Sequence, residues 1–425
     1  MKTPLILLRR RSSTKTPASF RVVIAALAIV TTCRVAAAER APVVSFFLQG
    51  GGTDRPDSVA FSLDLERLVA VRPSGKVDVW NVRTGKPEFT WETAPITNWY
   101  SWPWCGRRVA WLPGTSQVLV AAGTDVAIHD VKTGEPVRSL AAPQGNVEVL
   151  AVSADGRRAA AFVRATYRVP AMVVWELGTG AVLEHMPRSE VFALRRNRSI
   201  PGQKPHSLPT SQVFALSSAG RDFAVGTDYG EVDLWNLETG DWEGFVIGPS
   251  GMASSVLFMP DGRLVALFNQ LDLAIYQTNT GPRTDLLVQK RQMRNPGSEV
   301  LETHSLAASA DGQRLAIGGI RAGARRGVLD RSAIIHDVPR DGEVQVWDVA
   351  TGKKLTSFNG SAGEVFGVVA LDRGGKRVAG VSGIQFASIL TGTLQRTVGP
   401  PTSPTVTPAV RPGPLKVSVW DIAEK

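Results

Sequence analysis

The amino-acid sequence predicts an all-β protein, a seven-bladed β-propeller closed by an N-terminal outer strand in the last blade. Two observations support the blades: a short alternating motif recurs seven times, and a second motif with a tight-turn signal precedes each copy. A third supports the closure, because the last copy lacks the strand that follows the motif elsewhere. Four short strands per unit, at a basic period of about 40 residues, are typical of propeller blades.

The recurring motif is clearest in residues 344–355, VQVWDVATGKKL, where apolar and polar residues alternate up to a Trp and a Thr-Gly turn follows. Alternation of this kind predicts a half-buried strand, and Thr-Gly predicts a tight turn. The aromatic or His position recurs at Trp80, His129, Trp175, Trp235, Tyr276, Trp347 and Trp420. The preceding motif, such as LAVSADGRRAAAF in residues 150–162, predicts two further strands joined by a turn.

The two ends of the chain predict how the ring closes. The last copy, VSVWDIAEK in residues 417–425, has no outer strand after it, whereas the alternating residues 43–48 precede the first motif and belong to no other unit. We therefore expect residues 43–48 to complete the seventh blade. A ring closed in this way leaves no open seam, so we expect a monomer.

Residues 1–38 read as a secretory signal, and residues 39–425 as the propeller. The segment has a basic start, an apolar run in residues 22–30 and three alanines in residues 36–38. The apolar run is far shorter than the roughly 20 residues that span a bilayer, so we expect cleavage and no stable membrane insertion afterwards. The mature protein is expected to be exported, periplasmic or extracellular. An uncleaved anchor and a lipoprotein modified at Cys33 remain alternatives.

Removal of residues 1–38 lowers both the net charge and the number of cysteines. This segment holds seven basic and no acidic residues, so the net charge of +10 falls to +3 in the mature chain. This small excess does not indicate a nucleic-acid partner. Of the two cysteines only Cys105 remains, so an intramolecular disulfide is not expected.

The repeats resemble the WD40 repeat family from about residue 43 to the C-terminus. The Trp-Asp dipeptide of that family stands at Trp347-Asp348 and Trp420-Asp421, and Trp80-Asn81 is a close variant. The sequence departs from the family pattern in lacking its Gly-His element, because only His304 lies near the expected place. The chain thus resembles a divergent, exported member of bacterial type, and the resemblance implies a non-catalytic binding platform for a protein or peptide partner.

Five insertions between the repeats are the candidate binding elements. In a propeller whose strands run a to d outward, we expect all five to lie on the face that carries the b–c and d–a connections. They are residues 91–108, 185–211, 283–303, 319–342 and 384–414, and together they carry a net charge of +10. The candidate partner-binding arginines are Arg188, Arg195, Arg196, Arg198, Arg325 and Arg326. They predict long-range attraction of an acidic partner, although solvation of long loops explains them equally well.

An aromatic cluster interrupts the first of these insertions. Its candidate partner-binding residues are Trp99, Tyr100, Trp102 and Trp104, which could clamp a peptide or stack on sugars. Polysaccharide binding through the same face is therefore the alternative function, and packing between blades is the alternative role for the rings. For Trp91 and Trp111 we expect packing between the first two blades.

The sequence does not indicate an enzyme, a cofactor or a metal site. It has no phosphate-binding glycine loop, no metal-ligand spacing of His or Cys and no Gly-x-Ser-x-Gly turn. Residues 84–91, TGKPEFTW, resemble a motif of quinone-dependent dehydrogenase propellers, but only the first repeat carries that Trp. A quinone-dependent enzyme is therefore the least favoured alternative.

Overall fold

The protein is described by a computed structural model of residues 40–48, 54–95, 108–142, 145–164, 171–187, 213–226, 230–248, 253–268, 272–277, 291–293, 300–322, 341–362, 364–384 and 414–422. These residues form 28 strands and no α-helix. The strands make seven four-stranded antiparallel sheets, as the repeats predict. The predicted fold class is confirmed.

Each blade takes its strands a, b, c and d consecutively from the chain, except the last. The first strand, β1 (Val44–Phe47), belongs to blade 7. Blade 1 contains β2 (Ser58–Phe61), β3 (Arg67–Val71), β4 (Lys76–Asn81) and β5 (Lys86–Glu92). Blade 2 contains β6 (Val109–Trp111), β7 (Gln117–Ala122), β8 (Asp125–Asp130) and β9 (Pro136–Leu140). Blade 3 contains β10 (Asn146–Val152), β11 (Arg158–Arg164), β12 (Ala171–Glu176) and β13 (Val182–Pro187).

The remaining blades follow the same order. Blade 4 contains β14 (Phe214–Leu216), β15 (Asp222–Gly226), β16 (Glu231–Asn236) and β17 (Trp242–Ile247). Blade 5 contains β18 (Ala253–Phe258), β19 (Leu264–Phe268), β20 (Asp272–Tyr276) and β21 (Arg291–Met293). Blade 6 contains β22 (Val300–Ala308), β23 (Arg314–Ala322), β24 (Asp341–Asp348) and β25 (Lys353–Ala362). Blade 7 contains β26 (Glu364–Leu371), β27 (Arg377–Ile384), β28 (Lys416–Asp421) and β1.

Blade 7 is completed by the N-terminal strand, as predicted. Strand β1 pairs antiparallel with β28, with Val44 opposite Val419. The Leu48 N–H continues this ladder by donating to the Leu415 carbonyl at 2.8 Å. The two ends of the chain therefore share one sheet, in which the hydroxyl oxygens of Ser45 and Ser418, 373 positions apart in sequence, lie 3.5 Å from each other.

Apolar side chains from facing sheets form the core between neighbouring blades. Between blades 7 and 1, Phe46 stacks on Trp80 with ring centroids 5.8 Å apart, and Leu48 and Val417 are fully buried beside them. Such burial contributes roughly 1.5–3 kcal/mol for each large apolar side chain. The apolar positions that alternate in the sequence thus form the buried sheet faces through which neighbouring blades pack.

The residue after the aromatic position organises the c–d turn. The Asp130 carboxylate accepts hydrogen bonds from the backbone N–H groups of Thr133 and Lys132, which lower the pKa of Asp130. Gly134 follows with φ +73°, a left-handed conformation that glycine adopts without a steric penalty. A Cβ on Gly134 would lie 2.6 Å from the Cβ of Trp91 in blade 1. The Asp-x-x-Thr-Gly pattern is therefore explained by turn geometry and by packing against the preceding blade.

Arginines at the start of strand b connect the a–b turns of neighbouring blades. Arg158 of blade 3 donates to the Gly220 carbonyl in blade 4 at 3.1 Å. Arg377 of blade 7 donates to the Asp64 carbonyl in blade 1 at 2.6 Å, and Arg314 of blade 6 makes the same kind of bond to blade 7. These contacts link the a–b turns of three pairs of neighbouring blades on one face of the ring.

Candidate functional site

The ring has two faces that differ in their connections. Because the strands of each sheet are antiparallel, the a–b and c–d turns lie at one end of the sheet and the b–c and d–a connections at the other. We call the first the turn face, which includes the a–b turns of blades 3 and 4, joined by the bond from Asp155 N–H to Ser218 O at 2.9 Å. We call the second the insertion face.

The strand order attaches four of the five predicted insertions to the insertion face. The d–a connections after β5 and β13 contain residues 93–108 and 188–213. The b–c connections of blades 6 and 7 contain residues 323–340 and 385–415. The strands that flank these segments are thus placed as the sequence predicts.

The prediction that all five insertions share one face is wrong for the segment 283–303. Its middle residues form β21, the outer strand of blade 5, so residues 277–290 connect strands c and d at the turn face. Residues 294–299 alone remain as the connection to the next blade. The sequence does not predict this outer strand because it makes only three ladder pairs, from Ile275↔Arg291 to Leu273↔Met293, and lacks a clear alternation.

The candidate partner-binding residues lie outside the described residues. These are Trp99, Tyr100, Trp102, Trp104, Arg188, Arg195, Arg196, Arg198, Arg325 and Arg326. Trp91 and Trp111 are described and pack between blades 1 and 2, as predicted. The Trp91 ring stacks on His129 at 5.9 Å, and the Trp111 indole N–H donates to the Ala60 carbonyl at 2.9 Å.

Arg108 forms the centre of a buried polar network on the insertion face, directly before the first strand of blade 2. Only 5% of this residue is exposed, and its guanidinium forms an ion pair with Asp57 of blade 1. Its Nε–H donates to the Val147 carbonyl of blade 3 at 3.0 Å, and its backbone N–H donates to the Ser58 hydroxyl at 2.8 Å. A single side chain therefore connects three blades where the aromatic-rich segment re-enters the ring.

A second buried ion pair lies at the same end of blade 1. The Arg72 Nε–H donates to the Asp78 carboxylate at 2.9 Å, and both side chains are almost fully buried. The Thr90 hydroxyl donates to the other Asp78 oxygen at 2.8 Å. Because the carboxylate is paired on both oxygens, the end of strand c is held firmly against strands b and d.

Blade 7 carries a comparable group where residues 385–415 leave and return. The Glu364 carboxylate accepts hydrogen bonds from the Ser361 N–H at 3.0 Å and from the Ser382 hydroxyl at 3.4 Å. The Lys416 ammonium group lies 3.5 Å from its other oxygen. Other buried carboxylates at insertion-face strand ends are Glu148, Glu231, Asp233 and Glu343.

The described residues line two cavities, one near the insertion face and one nearer the turn face. One of about 580 Å³ opens beside blade 2 and is lined by Thr93, Ala94, Asp125 and His129. It lies where the chain leaves blade 1 for residues 96–107. The other, of about 680 Å³, occupies the centre of the ring toward the turn face and includes Trp111 in its lining. Both volumes are within the range of ordinary ligand sites.

The hydrogen bonds of the repeated aromatic residue differ from blade to blade. The Trp175 indole N–H donates to the Ala141 carbonyl at 2.6 Å, and the Tyr276 hydroxyl donates to the Ile247 carbonyl at 2.9 Å. In contrast, the indole N–H groups of Trp80 and Trp420 are buried without a hydrogen-bond partner among the described residues. The aromatic position is thus defined by packing between blades rather than by one shared polar network.

The described ranges contain neither a candidate metal site nor a membrane-spanning helix. No group of three or more His, Cys, Asp or Glu side chains in these ranges has a geometry that could hold a metal ion. The same part of the chain contains no helix with the length and apolar character needed to cross a membrane.

Comparison with known proteins supports the fold. No protein-family model matches the sequence, and no curated protein matches it. The crystal structure of the β-propeller domain of Cps50 (Swd1) from Myceliophteria thermophila is similar, with a TM-score of 0.55 at 13% identity. The alignment covers 89% of this chain and 100% of that chain. At this identity the similarity shows the fold alone, and the β-propeller is a fold that commonly serves as a protein-binding platform.

Proposed function

We propose that the protein is a non-catalytic binding platform for a protein or peptide partner, and that the partner binds on the insertion face. The observation that carries this proposal is the unequal distribution of connections. Four long segments attach to one face, whereas the other face carries mostly tight turns, of which three neighbouring pairs are linked by arginines. Binding residues commonly lie on loops held by a rigid scaffold.

The insertion-face strand ends support this role because buried polar contacts hold them in place. Arg108, Arg72 and Glu364 form buried ion pairs or hydrogen bonds next to two of the four segments, 91–108 and 384–414, or next to their flanking strands. A fixed attachment point reduces the entropy that a loop loses when a partner orders it. The network thus favours binding by segments whose ends are already positioned.

The charge of the insertions favours an acidic partner. The four segments 91–108, 185–211, 319–342 and 384–414 contain fourteen Lys and Arg against five Asp and Glu. A surface with this excess attracts acidic molecules over about a Debye length, which is roughly 8 Å at physiological ionic strength. The net charge of residues 39–425 as a whole is only +3, so nucleic acid is not proposed as a partner.

The family and the location are part of the proposal. The Trp-Asp repeats resemble those of WD40 proteins, and we assign the chain to that family as a divergent member. The basic and apolar segment 1–38 supports export to the periplasm or the exterior, where the partner would be met.

Polysaccharide binding is the second candidate. It is favoured by the aromatic residues of segment 96–107 together with the cavity of about 580 Å³ at the end of blade 1 from which that segment leaves. Aromatic rings stack on sugar faces as readily as on peptides. Free oligosaccharide should displace a glycan ligand but leave a protein partner bound.

Affinity capture with loop-shortened variants tests the proposal. The full chain is expressed in its own host, and variants have residues 190–210 or 325–339 replaced by a short Gly-Ser linker. The matched control shortens residues 279–289, which belong to a connection on the turn face. We expect the insertion-face variants to lose a discrete bound protein that the control retains. Loss of the bound protein in the control alone, with binding intact in both other variants, would place the site on the turn face and contradict the proposal.

A further inference from the structure

The outer edge of β1 differs from the other outer strands in its composition. Residues 41–48 contain no charged side chain, whereas each of the other six outer strands contains at least one Lys, Arg, Asp or Glu. Edge strands usually carry charges, because a charge prevents another strand from pairing with the free edge. Strand β1 lacks this protection.

The side chains of β1 alternate between packed and exposed positions. Phe46 packs on Trp80, while Phe47 is 58% exposed and Val43 is 64% exposed. Ser45, between them, is also exposed. The apolar side chains of Val43 and Phe47 are therefore exposed on the same face of the strand, with the small polar Ser45 between them.

The backbone hydrogen bonds of β1 alternate in the same way. The Leu48 N–H bonds to Leu415 of β28, and in an antiparallel ladder every second residue faces the same neighbour. Val44 and Phe46 thus bond inward, and the N–H and C=O groups of Ser45 and Phe47 point outward. At the start of the strand the Val43 N–H also donates inward, to the Val419 carbonyl at 2.8 Å. No described residue supplies a partner for the outward groups of Ser45 and Phe47.

We propose that β1 pairs with β1 of a second copy of this chain, antiparallel about a two-fold axis at Ser45. This register places Phe47 of each copy opposite Val43 of the other, so both exposed apolar residues are covered. The two Ser45 residues exchange a pair of backbone hydrogen bonds across the axis, and the Phe47 N–H of each copy adds one, because the Val43 N–H stays bonded inward. The same register brings no like charges together, because the strand has none, and an isologous contact of this kind closes at two copies. The ring closure uses only the inner edge of β1, so the monomer expected from a closed ring does not follow. The proposal is independent of the insertion face.

Measurement of the oligomeric state tests the pairing. The full chain, as the cell processes it, is examined by sedimentation equilibrium over a range of concentrations. Ser45→Pro removes the outward N–H without altering an inward bond, and Phe47→Lys places a charge on the edge. The matched control is Val137→Lys, at a residue of outer strand β9 that is 53% exposed.

A mass of two chains is expected for the native protein and for Val137→Lys, and a mass of one chain for Phe47→Lys and Ser45→Pro. Thermal unfolding identifies a variant that does not fold. If Ser45→Pro does not fold, Phe47→Lys decides the test alone, because the Phe47 side chain is 58% exposed. A native protein that stays at the mass of one chain overturns the proposal. A dimer that survives Phe47→Lys, or one that Val137→Lys also abolishes, overturns it as well.

Discussion

Arg108 provides the most informative perturbation of the insertion face, since its guanidinium connects blades 1, 2 and 3. Arg108→Met keeps most of the apolar stem and removes the charge. The change leaves the Asp57 carboxylate, which is 14% exposed, without its cation, and it leaves the Val147 carbonyl without a donor. The loss is therefore one of charge pairing rather than of volume.

The size of the effect follows from this burial. Removing one partner of a buried ion pair costs about 3–5 kcal/mol, and the residual exposure of Asp57 places the expected cost at about 3 kcal/mol. The compact unit comprises residues Arg40–Lys425, for which an unfolding entropy of about 2 cal/mol/K per residue gives roughly 0.8 kcal/mol/K. The melting temperature should thus fall by about 4 °C.

Differential scanning calorimetry of Arg108→Met, Asp57→Asn and the double variant measures the interaction directly. We expect the double variant to be at least about 1 kcal/mol more stable than the sum of the single losses, because the amide that replaces the Asp57 carboxylate is no longer a buried unpaired charge. Strictly additive losses would refute a direct Arg108–Asp57 pair. Equal melting temperatures for Arg108→Met and the native chain would refute the buried network.

Three further predictions concern the turns, one buried tyrosine and the binding face. Gly134→Ala should cost at least about 1 kcal/mol more than Gly114→Ala in urea unfolding, because both have positive φ but a Cβ meets Trp91 only at Gly134. Burial raises the pKa of Tyr276 to about 12, above its usual value of 10.0. The buried neutral phenol thus contributes its full stabilisation below pH 10, and this contribution is lost as the pH rises through about 12. Melting curves recorded at increasing pH should therefore show a smaller alkaline loss of stability for Tyr276→Phe than for the native chain. The rate of association with the captured partner, measured by stopped-flow kinetics, should fall at least about tenfold from low to physiological salt. An association rate that does not depend on salt would contradict attraction by the basic insertions.

The fold could be predicted because its determinants are local and repeated. Each unit combines alternating apolar residues with turn residues such as Asp130, which accepts hydrogen bonds from within its own turn, and Gly134, which adopts the positive φ that the turn requires. The missing outer strand after Trp420 then identified residues 43–48 as its replacement, which the pairing with β28 confirms.

The polar contacts between blades could not be predicted, because their partners are far apart in sequence. Arg108 and Asp57 are separated by 51 positions, and Arg377 and Asp64 by 313. A periodic pattern specifies which face of a strand is buried but not which charged residues of neighbouring blades meet. The outer strand of blade 5 could not be predicted for a different reason, since its three residues, Arg291–Met293, are too few to show a period.

Closure of the ring by the N-terminal strand is tested most directly by an engineered disulfide between β1 and β28. Ser45 and Ser418 are directly opposite, with hydroxyl oxygens 3.5 Å apart, and such non-hydrogen-bonded pairs have Cα atoms at about 4.5 Å, within the range of disulfides. In a Cys105→Ser background, Ser45→Cys with Ser418→Cys should form an intrachain bond on mild oxidation of the folded protein, detected by peptide mass spectrometry, and should raise the melting temperature. Two free thiols under the same conditions would contradict the closure.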